Sequence, residues 1–600
     1  MTLPRAWRDH HKIRRCRPRP TTDAPAQIPD SKVGQLDTLL HASGVLDLID
    51  AELAGRPGPA GMPLRTVLVG LLLSLHYHSS ATLADACRVL LDELSPTARG
   101  WLAVKDTDGC DDHSRIAFSR RLYRAFDRLT SALDPHRCDR RRRLPQEEAA
   151  RHAAAWEDDH PEHLRRRETL QKISDGLVLV TVRLAHRRGL LKSWKGDVGV
   201  DATSLPSWHD EPAKHRDLAS LDITAGWHFS GGADKGIFGH SATLLIAASR
   251  RHPTGHHRAG TRTSTHPQLA LGLVLDTPGK RIGPNALHTL TALGALGLNL
   301  PAGVLAADRA YTAQKTNHFA APARRLGYKL ALDYKREERG VQGTHLGALL
   351  VDGSLACPAI PTALAQATTG LDDKAARAPQ DDLQQLIAAR EPFFLKLKQA
   401  TDPHGTIRLQ CPAAGPSPSV NCPRFQHSND KPTPQRTVVD LTSARSTAGH
   451  PAAKPTVPIT PAERLRPLPK SQLPRICQKP TITIHPGDLG WRDKYRQDLR
   501  YLSPSWHDAF KPIRAHNEGL NGRAKGHRID ISRPEKRLAH GRVAQTILVA
   551  LMICTLNMQI IYSWHLTTGT EPAPTDEDAH PQAGGLVPPP RVVSGIPPPR

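Results

Sequence analysis

Residues 411–480 hold 14 prolines, or 14/70 = 20 per cent, against a usual share of about 5 per cent. Proline lacks the backbone donor and clashes with the preceding helical turn. Neither a long helix nor a central strand can therefore cross this block. Regular structure has to be built on either side of it. The block reads as the centre of an insertion, residues 336–490, made of short strands and loops. A chain of 600 residues predicts several domains at about 100–200 residues each, so both flanks are long enough to fold.

Upstream, residues 1–30 are rich in Arg, His and Pro and show no apolar period, as a disordered basic arm would. Residues 31–190 read as a helical N-terminal domain fit for DNA binding or dimerisation. Leu83, Ala86, Cys87, Leu90, Leu91 and Leu94 follow helical spacing, and Thr82 with Asp85 three residues on resembles a capping box. Met62–Tyr77 and His113–Leu133 read as further helices. Residues 136–168 are a charged connector containing Arg140–Arg143, and Leu170–Arg188 is the next helix. From 195 the pattern changes to short β-rich runs: Asp197–Val200, Ala242–Ala248 and Leu269–Leu275. A helix over Asn285–Leu296 follows, then the strand Gly303–Ala307, a helix over Ala313–Leu326 and the strand Tyr328–Leu332. Three sequential strands followed by alternating helix and strand predict an α/β core with a mixed sheet. Residues 195–335 and 491–564 form this core, on either side of the insertion. Within the second part, Gln545–Trp564 is apolar for the length of a membrane span. Gln545, Thr546, Asn557 and Gln559 interrupt it, so a core helix is expected instead. Residues 565–600 read as a disordered tail.

Charge narrows the partners. A formal net charge of +23 points to a polyanion, most simply nucleic acid. A genome-wide arginine bias would give a similar total, but the charge here is clustered. Residues 1–20 carry seven Lys/Arg against one acid, and residues 511–542 carry nine against three. Nine cysteines, odd in number and loosely spaced, do not form a disulfide scaffold and predict a reducing cytoplasm. No apolar signal core follows the basic first residues, so neither secretion nor a membrane is expected.

Three carboxylates stand out within this frame. Asp201 follows Asp197–Val200, Asp308 follows Gly303–Ala307, and Glu518 lies in a basic, helix-compatible segment. The separations are 308 − 201 = 107 and 518 − 308 = 210 residues, and the inserted block explains the longer one. Phosphodiester cleavage needs an activated water and a stabilised leaving oxygen, which two divalent ions about 4 Å apart supply. Mg²⁺ or Mn²⁺ takes oxygen ligands, hence Asp and Glu. Any one of the 58 acids taken alone is more often solvated or structural.

The residues around these acids resemble bacterial insertion-sequence transposases of the DDE type, cut-and-paste elements with an interrupted catalytic core. Val200-Asp201-Ala202-Thr203 looks like the first-acid motif, and Asp308-Arg309-Ala310-Tyr311 like the second. Arg514, Glu518 and Lys525 fall in the register Tyr-x2-Arg-x3-Glu-x6-Lys, with Lys511 standing where that pattern has Tyr. The resemblance implies a ribonuclease-H-like fold. Asp201, Asp308 and Glu518 would be the catalytic metal ligands for two Mg²⁺ or Mn²⁺ ions. Arg514, Lys525, Arg309 and Tyr311 would contact DNA, with simple packing the slightly favoured reading for Tyr311. Trp491 is a further aromatic that could meet an unstacked base. The implied partners are double-stranded element ends and target DNA. A homodimer is implied by the need to bring two ends together, in a nucleoid-associated cytoplasmic setting. A catalytically decayed DNA-binding protein and a stand-alone nuclease of the same fold remain the alternatives.

Four cysteines, Cys357, Cys411, Cys422 and Cys477, lie in the insertion. Four thiolates can close a tetrahedral zinc site and stabilise a segment too rich in proline to build its own core. None is paired as C-x2-C, so unligated thiols are the simpler reading.

Overall fold

The computed structural model describes residues 27–55, 61–136, 142–213, 217–229, 236–250, 264–377, 381–402, 405–422, 424, 457–458, 469–526 and 528–568. Residues 1–26 of the expected basic arm, nearly all of the tail and part of the Arg140–Arg143 run lie outside them, while Ile28 is buried and Asp30 already opens a helix. The architecture is mixed α/β, with one six-stranded sheet, three small sheets and a shell of helices.

Eight of the helices build the interior and the site. They are α1 (Asp30–Ala42), α2 (Val45–Leu53), α3 (Leu64–His78), α4 (Leu83–Asp92), α5 (Asp112–Leu133), α6 (Pro161–Arg187), α7 (Pro504–Ala524) and α8 (Gly541–Thr568). Local chemistry sets their starts. Pro63 stands just before α3, where its missing N–H costs nothing, and Thr82 Oγ1 accepts the Asp85 amide at 3.2 Å to cap α4. Helix α6 begins nine residues before the expected Leu170. Pro161 opens it, and Glu162 pairs with Arg165 and Arg166 at helical spacing. This first turn and a half is held by charge pairs instead of apolar contacts, so it shows no apolar period.

The main sheet contains β1 (Val198–Pro206), β2 (Gly226–His228), β3 (Ile237–Ala247), β4 (Ala270–Asp276), β5 (Val304–Ala307) and β6 (Lys329–Leu332). The order is β4-β3-β1-β5-β6, with β2 continuing the β4 edge alongside β3. Strands β1, β3 and β4 are antiparallel neighbours, whereas β5 and β6 run parallel to β1. Strand β1 runs past Asp201 to Pro206, because β3 supplies a partner for all nine of its residues. The expected helix over Ala313–Leu326 is broken, and only Ala320–Arg325, which begins just before Pro322, is α-helical there.

Alternation along β5 divides the interior. Leu305 and Ala307 join a core that runs from α1 through α6 and β4 to α8. Val304 and Ala306 join a second core shared with the insertion. The N-terminal helices and the sheet thus share one continuous apolar interior. Helix α7 bridges the two cores, with Phe510 and Ile513 in the second and Leu520 and Ala524 in the first. Helix α8 is apolar and long enough to cross a membrane, yet it is buried against α3, α6 and β4. Its Asn557 accepts the Ala270 amide at 2.9 Å and donates to the Ala270 carbonyl and to Thr181 Oγ1, both at 2.8 Å. The side-chain amide therefore caps the end of an outer strand. Gln497 does the same for β6, bonding both backbone groups of Leu332.

The insertion contributes β7 (Val341–His345), β8 (Ala348–Val351) and β9 (Ser354–Ala356) as one sheet. A second sheet joins β10 (Lys396–Gln399), β11 (Ile407–Gln410) and β14 (Thr481–Ile484). A third pairs β12 (Val420–Asn421) with β13 (Val457–Pro458).

Candidate active site

Strands β1 and β5 pair with Gly199 opposite Ala306. Asp201 and Asp308 each stand two residues further on. Continued by two residues, that register sets the two acids opposite one another on one face, where neighbouring strands run about 4.8 Å apart. Asp308 lies just past the end of β5 and accepts the Ala310 amide at 3.0 Å. Burial, and then the Asp201 charge beside it, raises the Asp308 carboxyl above the usual carboxylate range; Arg514 acts in the opposite sense.

The same register continues to β6, where Ala307 faces Leu332 and Asp333 follows. Asp333 is engaged elsewhere: it accepts the Tyr501 hydroxyl at 2.8 Å and faces Arg339 at 3.7 Å. It reads as a structural anchor beneath the site.

Helix α7 lies across this face. Ser503 caps it by accepting the Trp506 amide at 3.2 Å. Arg514, Asn517, Asn521 and Lys525 follow the spacing i, i+3, i+7, i+11, so they line one stripe. Arg514 Nη1 is 3.5 Å from Asp201 Oδ1, and Asn521 Nδ2 is 3.3 Å from Asp201 Oδ2. Asn517 Nδ2 points to the Val200 carbonyl at 3.4 Å. The helix can come this close because residue 199 is glycine; a Cβ there would overlap the Asn517 amide. The Lys525 ammonium is lowered by burial, with Asp201 and Asp530 pulling it back. His228 on β2 lies within electrostatic reach of the site: burial and then Lys525 lower its imidazole, and Asp201 raises it.

The structure thus brings together Asp201, Asp308, Arg514 and Lys525. Glu518 lies one turn beyond Arg514 and is exposed. Among the described residues no group of three or more His, Cys, Asp or Glu side chains stands at metal-holding distance. Arg309 forms an ion pair with Asp373 of the insertion. Tyr311 is buried against Phe319, ring centroids 4.9 Å apart. Trp491 is exposed, with Arg492 over its ring. Asn517, Asn521 and His228 are not evident from sequence. For the two asparagines the signal lies in the helical stripe set by Arg514 and Lys525.

The donor set suits a hard divalent cation. Two carboxylates crowd one another on adjacent strands. Tyr311 Oη and Asn521 Oδ1 are buried beside them without a hydrogen-bond partner within the chain among the described residues. Comparison with known proteins returns no match: no protein-family model, no curated protein and no solved structure.

Proposed function

We propose that the chain is a DDE-type DNA transposase that cleaves the ends of a mobile element and joins them to target DNA. Its catalytic core is ribonuclease-H-like. One observation carries the reading: Asp201 and Asp308 lie in register on adjacent parallel strands beneath a helix that presents Arg514 and Lys525. The strand order β4-β3-β1-β5-β6, antiparallel then parallel, supports the same core.

Asp201 and Asp308 would hold the divalent ions, with Glu518, exposed one turn beyond Arg514, as the third ligand that the resemblance implies; the ions when bound supply an activated water and stabilise the leaving oxygen. Asn521 orients the Asp201 carboxylate through Oδ2, leaving Oδ1 to Arg514. The Arg514 guanidinium and Lys525 ammonium offer donors to the phosphates flanking the cut. Asn517, wedged against Gly199, fixes the height of α7 above the strands. Tyr311 packs against Phe319 in the core beside the acids.

A non-catalytic DNA-binding descendant is the second reading. The Arg514–Asp201 pair favours it, because a cation on the chain itself can neutralise the first acid. Linear DNA bearing the flanking inverted repeats, incubated with the protein and Mg²⁺, separates the two. Strand transfer supports a transposase, cutting alone a nuclease, and binding without cutting the descendant.

A further inference from the structure

The four insertion cysteines lie far apart in sequence but converge in the second core. Each follows or sits beside a short element: Cys357 after β9, Cys411 after β11, Cys422 after β12, and Cys477 in the turn of helix Arg475–Gln478. Backbone bonds stitch these ends together. Cys357 N–H donates to Phe393 O and Cys411 N–H to Pro480 O, both at 2.8 Å; Ser419 N–H donates to Pro412 O at 2.8 Å. All four side chains are buried, and every described cysteine is a free thiol.

Two of them open the same kind of turn. In Cys357-Pro358-Ala359-Ile360 the Ile360 amide closes on the Cys357 carbonyl at 3.0 Å. In Cys411-Pro412-Ala413-Ala414 the Ala414 amide closes on the Cys411 carbonyl at 3.0 Å. In both turns backbone amides aim at the sulfur, from Ala359 in the first and from Ala413 and Ala414 in the second. N–H groups directed at sulfur favour thiolate over thiol.

We propose that Cys357, Cys411, Cys422 and Cys477 are the four ligands of a structural zinc site that pins the Pro-rich insertion together. The four thiols lie within electrostatic reach of one another: burial, and after it Cys411, Cys422 and Cys477, holds the Cys357 thiol well above its ordinary value, and burial with Cys411 and Cys422 pushes the Cys477 thiol up to about 11. Four thiols in an apolar core with no cation between them would stay protonated. Zinc binding releases four protons to solvent and leaves a tetrathiolate of net charge −2, for which Lys396 and Arg424 supply compensating charge. The side chains are not at ligand spacing in the described residues, so closure accompanies binding, with Zn–S distances of about 2.3 Å. Zinc would in this way crosslink the ends of four short elements within the second core.

The test uses the full chain, purified under reductant and without chelator. Elemental analysis should find about one zinc per chain, as expected of a closed four-cysteine site. Cys357→Ser and Cys422→Ser should each lose it, and Cys110→Ser, at an exposed cysteine, should keep it. Wild-type protein reconstituted with Co²⁺ should show thiolate-to-metal charge-transfer bands, a readout that needs no variant to fold. Protein that stays essentially zinc-free after dialysis against zinc buffer, or that shows no such bands, overturns the site. None of these readouts depends on DNA cleavage, so they stand apart from the transposase reading.

Discussion

Burial, and after it the Asp201 charge on the neighbouring strand, holds the Asp308 carboxyl above its ordinary value. Asp308→Asn removes the second charge. In chelator it should melt at a higher temperature than wild type, and Mg²⁺, which should raise the wild-type melting temperature, should no longer do so; thermal unfolding with and without Mg²⁺ checks both. Gly199 is the counterpart on the helix side. Gly199→Ala forces a Cβ into the Asn517 amide and should cost about 1–3 kcal/mol in urea unfolding. Gly199→Ala combined with Asn517→Ala should recover part of that loss, because the clash is with that one side chain. At this scale the sequence is informative about identity and silent about neighbours. Asp201, Asp308 and Arg514 can be picked out from the residues flanking them. That Asp201 faces Asp308 depends on strand register across 107 residues, and no local pattern encodes it.

Elements with a buried apolar face are legible in the sequence, and those stabilised by polar contacts are not. Helices α3, α4 and α5 and strands β3 to β6 lie close to where periodicity puts them, because hydrophobic spacing is the signal of one-sided burial. The start of α6 is hidden because ion pairs hold it, and β2 because three residues are too few to show alternation. Strand β1 outlasts its apolar run because the ladder to β3 carries it past Asp201. Helix α8 shows what buried polar groups do in an apolar element. Asn557 satisfies both backbone groups of Ala270, so Asn557→Leu should leave an N–H and a C=O unmade. The expected loss is about 1–3 kcal/mol for each, read as a lower urea midpoint.

Across the whole molecule, a chain of net charge +23 has to hold its own fold and, on the proposed reading, DNA as well. If Arg514 meets phosphate, Arg514→Ala should weaken DNA binding and reduce the slope of log affinity against log salt by about 1, measured by fluorescence anisotropy. The fold has its own pH limit. His266, 2% exposed beside Trp194, is pushed down to about 4 by burial, with His516 adding to it. A neutral histidine in the folded state and an ordinary one in the unfolded state make the unfolded chain bind more protons between those values. The stability this represents, up to about 3 kcal/mol, is present above pH 6.5 and lost as pH falls toward 4. His266→Phe should flatten that part of a stability-versus-pH curve. The insertion is where sequence reading runs out: prolines announce a break in the pattern, but the convergence of strand ends there is a product of long-range pairing. The most direct test of the account is Mg²⁺-dependent cleavage of an inverted-repeat DNA end by wild type, Asp201→Ala, Asp308→Ala and Glu518→Ala, with binding measured in parallel. Cleavage by wild type, lost in all three variants while binding persists, is the expected result; cleavage that survives in any of them would contradict the three-acid site.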